Sequence, residues 1–231
     1  ITGCTFIDAT GDADICWLAG EKTVDDPTNR RTGWYFSYDG RQLKLNELTD
    51  PLYTDIPEDS RLYSGTILED ISQHCIDGRK MILKHVQKMH KDGNMDVYPL
   101  IIPSIPGLRM TRRLAGTFEF SEDLHERCWF YDAIGMTGNW KYAHLRYSIP
   151  YRSIKAVKNS NLFAVGRCCC ADKSGWDLTR VIPTCAVTGE AAGTAAAMLA
   201  ITGKQPDITK LQSILRKNGV LLQPELFTKV I

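Results

Sequence analysis

The stretch 161–203 constrains the fold of this chain more than any other segment. It begins with a short apolar run at 162–165 that stops at a Gly-Arg pair, which is typical of a buried strand ending at a turn. It ends with an alanine-rich segment that has Pro183 near its start and Gly203 at its end, which predicts a helix.

The predicted helix carries small residues on one side. They are Gly189, Ala192, Gly193, Ala196 and Ala200. The last four lie three, four, seven and eleven positions after Gly189, which puts all of them on one side of a helix. A face without side chains lets a backbone or a flat ligand come close, and the unpaired N–H groups at a helix start suit an electron-rich ligand edge. The alternative is that this face only packs tightly on a sheet, with no ligand.

Segment 166–193 resembles the carboxy-terminal signature of a family of FAD-dependent oxidoreductases with a glutathione-reductase-type nucleotide fold. In that family Gly-Arg-Cys ends a strand, Arg-Val-x-Pro-Thr-Cys follows, and the flavin-facing helix opens with Gly-x-Ala-Ala-Gly. The matching residues are Gly166, Arg167, Cys168, Arg180, Val181, Pro183, Thr184, Cys185, Gly189, Ala191, Ala192 and Gly193. One position departs from the family, because Lys173 stands about where a histidine often follows Gly-Arg-Cys. The resemblance implies FAD as the cofactor.

A second motif lies near the start of the chain, where a predicted strand at 5–9 passes through a turn into a short predicted helix at 13–19. Its residues Ala9, Thr10, Gly11 and Asp12 resemble the family's Ala-Thr-Gly-Asp turn, which lies beside the pyrophosphate and adenosine side of FAD. Ligands of open α/β sheets lie beyond the carboxyl ends of strands, as this turn does. The alternative is an ordinary strand-to-helix turn with Asp12 as the N-cap.

The phosphate-binding Gly-x-Gly-x-x-Gly of the family belongs well before the Ala-Thr-Gly turn, and no Gly-x-Gly occurs in these residues. We therefore expect this sequence to be the carboxy-terminal portion of a longer flavoprotein, with the amino-terminal segment of the same protein as its partner. The fold class that follows is α/β, a partial Rossmann-like FAD-binding domain with an inserted α+β substrate-type domain. The predicted boundaries are 1–20 and 148–231 for the FAD-binding domain and 21–147 for the insertion.

Within the insertion, alternating patterns predict strands at 32–38 and 42–48 around an Asp-Gly turn, and a long helix at 66–91. A further strand is expected at 114–120, and an irregular, pocket-lining loop at 129–141 because of its glycines. At the end of the chain Asp207 is expected to cap a last helix.

Three arginines are candidates for substrate binding. Arg109, Arg112 and Arg113 resemble a family segment near the substrate cavity, and their guanidinium groups can hold a carboxylate in bidentate fashion. The alternative is a basic strand edge exposed to water. The catalytic candidates are Arg180 and Cys168 from the family signature, and His144 and Tyr151, but none of them is assigned as a base. A thiol role for Cys168 requires a lowered pKa.

The 231 residues carry a formal net charge of +1, which gives no bulk electrostatic argument for binding nucleic acid or an anionic membrane. No run is expected to span a bilayer. The eight cysteines lack a Cys-x-x-Cys spacing, and three of them are consecutive, which predicts buried thiols in a reducing, cytoplasmic compartment and no metal site.

The sequence thus predicts a FAD-dependent oxidoreductase acting on a small, carboxylate-bearing substrate. One alternative is a non-catalytic or truncated fragment whose incomplete FAD site packs against another segment or subunit, and homo-oligomerisation is left open. Another is a thiol-redox or metal protein built on the cysteines at 168–170.

Overall fold

The computed structural model describes residues 2–30, 33–49, 60–125 and 127–230. These residues form a mixed α/β fold of small sheets and helices that divides into two compact units. Unit 1 comprises Ile1–Val24 and Arg112–Ile231, and unit 2 comprises Asp25–Thr111.

The elements follow in chain order. The strands are β1 (Phe6–Asp8), β2 (Thr23–Asp25), β3 (Asn29–Arg30), β4 (Trp34–Tyr38), β5 (Leu43–Glu47), β6 (Leu62–Tyr63), β7 (Tyr98–Ile101), β8 (Arg112–Leu114), β9 (Cys128–Trp129), β10 (Ala133–Gly138), β11 (Arg146–Pro150), β12 (Leu162–Ala164) and β13 (Lys229–Val230). The helices are α1 (Asp14–Leu18), α2 (Leu68–Lys91), α3 (Glu122–His125), α4 (Lys173–Thr179), α5 (Ile182–Thr202) and α6 (Ile208–Lys217).

The strand pair β1–β12 organises unit 1. The two strands run parallel, with Phe6 opposite Leu162 and Asp8 opposite Ala164. Because the carboxyl ends of parallel strands meet at one edge, the turn at 9–12 and the turn at 166–168 emerge side by side. The pairing therefore brings together two motifs that lie far apart in the sequence.

Helix α5 confirms the predicted alanine-rich helix, and it ends at Gly203, which adopts the left-handed conformation with φ 66°. Its buried face consists of small residues, namely Thr184, Thr188, Ala191, Ala192, Ala195 and Ala196. This face packs into the main apolar core of unit 1, which includes side chains of β10, β11, β12 and α6.

The irregular loop predicted for 129–141 is wrong, because residues 133–138 form β10 and pair with β11 as an antiparallel hairpin. Gly135, one of the glycines that suggested a loop, serves packing instead. A Cβ atom on Gly135 would lie 2.2 Å from Cγ1 of Val187 on α5, so only glycine permits this approach of helix and strand.

Helix α5 also corrects the expectation that no run can span a bilayer. Its 21 residues, with a mean hydropathy of 1.3 over the most apolar window, meet the criteria of length and composition for a membrane span. The core helix of a water-soluble domain meets the same criteria, and α5 buries its alanine face in unit 1. This feature by itself is weak support for a membrane location.

In unit 2, strands β5, β4 and β7 form an antiparallel sheet in that order. The predicted strand pair and long helix are confirmed as β4, β5 and α2, except that Thr32 lies outside the described residues. Tyr35 of β4 packs against Ile82 and Val86, which lie one turn apart on α2. This small core joins the sheet to the helix.

Unit 2 is shorter than the predicted insertion of 21–147. Residues 112–147 belong to unit 1, where β10 packs on both β11 and α5. The predicted strand at 114–120 is wrong beyond Leu114, since regular strand structure ends there. The predicted cap of the last helix is confirmed, because Asp207 accepts a hydrogen bond from the Lys210 N–H at 2.9 Å.

Candidate functional site

Arg167 connects the two motifs at the edge of the β1–β12 pair. Its Nη2 donates to Oδ1 of Asp12 over 3.0 Å, and its Nε donates to the carbonyl oxygen of Gly11. Gly11 has φ 86°, and a Cβ atom there would lie 2.9 Å from the Arg167 guanidinium. Gly11 is therefore required both by its backbone conformation and by the close approach of Arg167.

The backbone N–H groups of Thr10 and Gly11 in the 9–12 turn, and those of two residues that follow it, are hydrogen-bonded within the chain. Asp8, which is fully buried, accepts hydrogen bonds from the N–H groups of Thr10 at 3.1 Å and Cys16 at 2.8 Å. Sγ of Cys168 accepts from the N–H groups of Gly11 at 3.2 Å and Ala13 at 3.3 Å. These donors are consequently not available to a phosphate group.

A second arginine supports the same turn from β8. Nε of Arg112 donates to the Asp12 carbonyl oxygen over 2.9 Å, and its Nη2 donates to the Asp14 carboxylate. Its guanidinium lies 5.1 Å from the ring centre of Trp17.

Asp12, the N-cap in the alternative interpretation of this turn, does not cap α1. Ala13 occupies the N-cap position, and Oγ1 of Thr10 accepts a hydrogen bond from the Asp14 N–H.

The start of α5 lies next to the Gly166 turn. The Gly166 N–H donates to Oγ1 of Thr188 over 3.0 Å, and a Cβ atom on Gly166 would lie 2.9 Å from Sγ of Cys185. Val181, the N-cap residue, provides no side-chain cap, and Ile182 in the first turn is 85% exposed. The helix therefore presents uncapped N–H groups at an exposed end.

The small-residue face of α5 divides into two parts. Ala192 is fully buried, whereas Gly189 and Gly193 are only half-buried. A Cβ atom on either glycine would meet no atom within 4 Å among the described residues. Tight packing within the described chain therefore does not explain these two glycines.

A charged cluster flanks the α5 start. Asp177 on α4 accepts from Nη2 of Arg180 at 2.6 Å and from Nζ of Lys141 at 2.7 Å. Burial acts to raise the pKa of Asp177, but hydrogen bonds and charge from Lys141 and Arg180 hold it below its usual value. Two cations share one carboxylate, so the cluster keeps an excess positive charge.

A sequence model of the family described as FAD dependent oxidoreductase matches residues 21–215. The chain belongs to this family. No curated protein and no solved structure gives a significant match. The matched range includes segment 166–193 and begins after the 9–12 turn, which contacts Arg167 and Cys168 of that segment.

FAD is the cofactor of this oxidoreductase family. The α5 start fits a flavin, since its uncapped N–H groups and the open surface at Gly189 and Gly193 admit the edge of a flat ring. Exposed Pro183 lies beside this surface. The 9–12 turn fits the cofactor less well than the α5 start does. The groups that it offers to a ligand are partly exposed side chains, chiefly that of Asp12 next to Arg167.

Three of the residues that were predicted to bind the cofactor lie in the core of unit 1. Ala191 and Ala192 are fully buried in the α5 core face. Thr184 is also fully buried, and its hydroxyl is hydrogen-bonded to that of Thr137 on β10. Their side chains pack within unit 1 and hold α5 in place. Ala9, by contrast, is exposed at the end of β1.

The predicted substrate arginines do not act as a group. Arg112 and Arg113 are buried in unit 1, where Arg112 pairs with Asp14 and Arg113 with Glu119, and their role in carboxylate binding stays a prediction. Arg109 belongs to unit 2 and is half-buried. Its backbone N–H donates to Oδ1 of Asn29, and none of the ion pairs within the described ranges includes its guanidinium.

The catalytic candidates have different surroundings. Burial raises the pKa of the Cys168 thiol to about 11, with the charge of Asp8 adding to it, which disfavours the thiolate form of this fully buried residue. Burial also raises the pKa of Tyr151, whose hydroxyl has no partner in the part of the chain described. His144 is exposed on a surface turn. Arg180 is held by Asp177 beside the α5 start.

Two buried carboxylates were missed by sequence reasoning. Asp8 anchors the 9–12 turn, and Glu21 accepts hydrogen bonds from the backbone N–H groups of Val157, Lys158 and Asn159. The sequence signal for Asp8 was its position as a carboxylate at the end of an apolar strand. The role of Glu21 depends on a contact across more than 130 residues, which no local pattern predicts. Within the described ranges, no group of three or more His, Cys, Asp or Glu is placed to hold a metal ion.

Proposed function

We propose that unit 1 is the Rossmann-like FAD-binding part of a flavin-dependent oxidoreductase, with the flavin ring at the start of α5. The observation that carries this proposal is the open space at the Cβ positions of Gly189 and Gly193, on a helix whose first turn has no side-chain cap. When bound, FAD supplies the redox chemistry, and the protein supplies orientation and charge. The α5 N–H groups and partial positive charge stabilise negative charge at the edge of the ring.

In this proposal the 9–12 turn and Arg167 lie on the nucleotide side of the site. The Arg167 guanidinium, partly exposed and already oriented by Asp12, can approach a phosphate oxygen. Asp8, Cys168 and Arg112 do not touch the cofactor. They hold the turn through hydrogen bonds to its backbone.

The substrate that we propose is a small carboxylate-bearing molecule. The excess positive charge of the Lys141–Asp177–Arg180 cluster lies near the α5 start and favours an anion. Arg109 in unit 2, which is half-buried, is a separate candidate to bind a carboxylate, and we propose no common site for it and the cluster of unit 1.

The second candidate is that this chain supplies only part of a FAD site. It then retains FAD only when it packs against another segment or subunit, including a second copy of this chain. Two observations favour it. The parallel pair β1–β12 has only two strands within the described residues, whereas parallel sheets are normally larger and covered. The backbone N–H groups of Thr10 and Gly11 in the 9–12 turn are also hydrogen-bonded within the chain. All eight cysteines are free, which supports a reducing, cytoplasmic compartment as part of this proposal.

Adding FAD to the purified chain distinguishes the two candidates. The first predicts a yellow protein that keeps stoichiometric flavin through gel filtration and is reduced by dithionite while the flavin stays bound. A colourless protein after the same treatment overturns the first candidate and supports the second. Light scattering on the same column gives the oligomeric state.

A further inference from the structure

Helix α2 covers one side of the antiparallel sheet in unit 2. Tyr35 and Ser37 of β4 are buried, and Tyr35 packs against α2. Because side chains alternate along a strand, Trp34, Phe36 and Tyr38 project from the other side of the sheet. We call this other side, built by β5, β4 and β7, the outer face.

The neighbouring strands add apolar side chains to the outer face. The register places Leu45 of β5 and Ile101 of β7 opposite Phe36. Directly opposed residues of an antiparallel sheet lie on the same face. The rings of Tyr38 on β4 and Tyr98 on β7 meet edge to face, with their centres 6.0 Å apart. The three strands therefore form one continuous apolar surface.

The side chains of the outer face are open to solvent. Five of them are between 37% and 52% exposed, namely Trp34, Leu43, Leu45, Tyr98 and Ile101. A large apolar side chain that is half exposed leaves roughly 100 Å² accessible, so the five together leave roughly 500 Å². The solvent side of an antiparallel sheet normally carries polar residues. An apolar patch of several hundred Å² in this place is typical of an interaction site.

The charges around the outer face narrow the kind of partner. Within the described strands, Glu47 is the charged residue of this face, and it lies at a corner opposite Trp34. An uncharged apolar surface is complementary to another surface of the same kind, and the outer face is such a surface itself. The sequence of unit 2 has 11 basic and 13 acidic residues, which disfavours the anionic surface of a membrane.

We propose that the outer face is the interface of a homodimer, in which two copies of the chain stack their β5–β4–β7 sheets face to face. Stacked sheets lie about 10 Å apart, so the aromatic and leucine side chains of the two copies interdigitate. The same patch is used on both copies, as a two-fold axis requires. Two copies bury roughly 1,000 Å² in total, which is the least area that a specific interface normally needs. The dimer depends on unit 2 and not on the proposed flavin site.

Sedimentation equilibrium of the full chain without FAD tests the proposal. The wild type is expected to show the mass of a dimer that dissociates on dilution. Leu45→Lys places an ammonium group from each copy in the middle of the apolar interface, and it should weaken dimerisation by about a hundredfold or more. Leu83→Lys is the matched control, because Leu83 is exposed on α2 and lies outside the outer face, and this variant should dimerise as the wild type does.

Three results would overturn the proposal. The first is a wild type that stays monomeric up to the highest concentration that remains soluble. The second is a Leu45→Lys variant that dimerises as tightly as the wild type while its circular dichroism shows a folded protein. The third is a monomeric wild type that floats with phosphatidylserine vesicles and a Leu45→Lys variant that does not, which would assign the outer face to a membrane surface. Leu43→Lys, also on the outer face, replaces Leu45→Lys if that variant does not fold.

Discussion

Arg167 and Asp12 form an ion pair of 3.0 Å across 155 positions of sequence. The pair joins the turn after β1 to the turn after β12, and the neighbouring Gly166 is bonded to Thr188 of α5. Through these contacts both family-like motifs become parts of one edge of unit 1. The predictions below test what holds that edge together and what it binds.

Gly11→Ala should destabilise the protein more than Gly20→Ala. Both glycines have positive φ, at 86° and 74°, so alanine costs about 1–2 kcal/mol at either position. Only at Gly11 does the new Cβ atom meet the Arg167 guanidinium, which must move and lose its hydrogen bonds at a further cost of about 1 kcal/mol. Urea unfolding of the two variants measures the difference. Equal losses would show that Arg167 does not constrain the turn.

Gly193→Leu should abolish flavin retention and leave the fold intact. The Cβ position is open, and leucine is a better helix former than glycine, so the FAD-free variant should gain about 0.5–1 kcal/mol in free energy of unfolding. Flavin absorbance after gel filtration measures retention. Ala197→Leu, at an exposed position of α5, is the control that should retain FAD as the wild type does. Unchanged FAD occupancy in Gly193→Leu would remove this face from the site.

Asp8→Asn should lower the free energy of unfolding at neutral pH, and this free energy should then depend less on pH in the acidic range. Burial acts to raise the pKa of Asp8, but hydrogen bonds from the Cys16 N–H and from Thr10 outweigh it and hold the pKa below its usual value. The folded pKa lies below the unfolded one, so the carboxylate stabilises the fold above about pH 4, and this stability is lost as pH falls through the folded pKa.

The asparagine variant cannot satisfy all these donors, which predicts a loss of about 1–3 kcal/mol at pH 7. Urea unfolding at pH 7, 5 and 3 gives both quantities. If the variant and the wild type lose stability in parallel between pH 5 and pH 3, Asp8 is not the group that titrates.

Cys168 should resist alkylation in the native protein. The thiol is fully buried, and its pKa of about 11 leaves little thiolate at neutral pH. Cys4 is exposed and should react first with iodoacetamide at pH 7.5. Mass spectrometry of the digested protein assigns the modified residues, with a urea-unfolded sample as the fully reactive reference. Rapid native labelling of Cys168 would restore it as a candidate for thiol chemistry.

Local pattern was sufficient for several elements. The period of the apolar residues and the terminal glycine fixed α5, and the strand–turn–strand pattern fixed β4 and β5, because these signals lie within one or two turns of chain. The local pattern failed at β10, where Gly135 resembles a loop residue. Glycine is needed there because a Cβ atom would clash with Val187, which is more than fifty positions away in the sequence and is a neighbour only in the packed structure.

The sequence by itself determined the family, through an ordered run of motif residues from Gly166 to Gly193, and those elements with a strong local pattern, such as α2 and α5. The tertiary structure decided what each side chain does. It assigned Arg112 and Arg113 to partners of their own chain and Cys168 to the backbone of the turn, and it left Gly189 and Gly193 open. The physical reason is that charge pairing and burial depend on neighbours that the parallel pairing of β1 and β12 brings together from opposite ends of the chain.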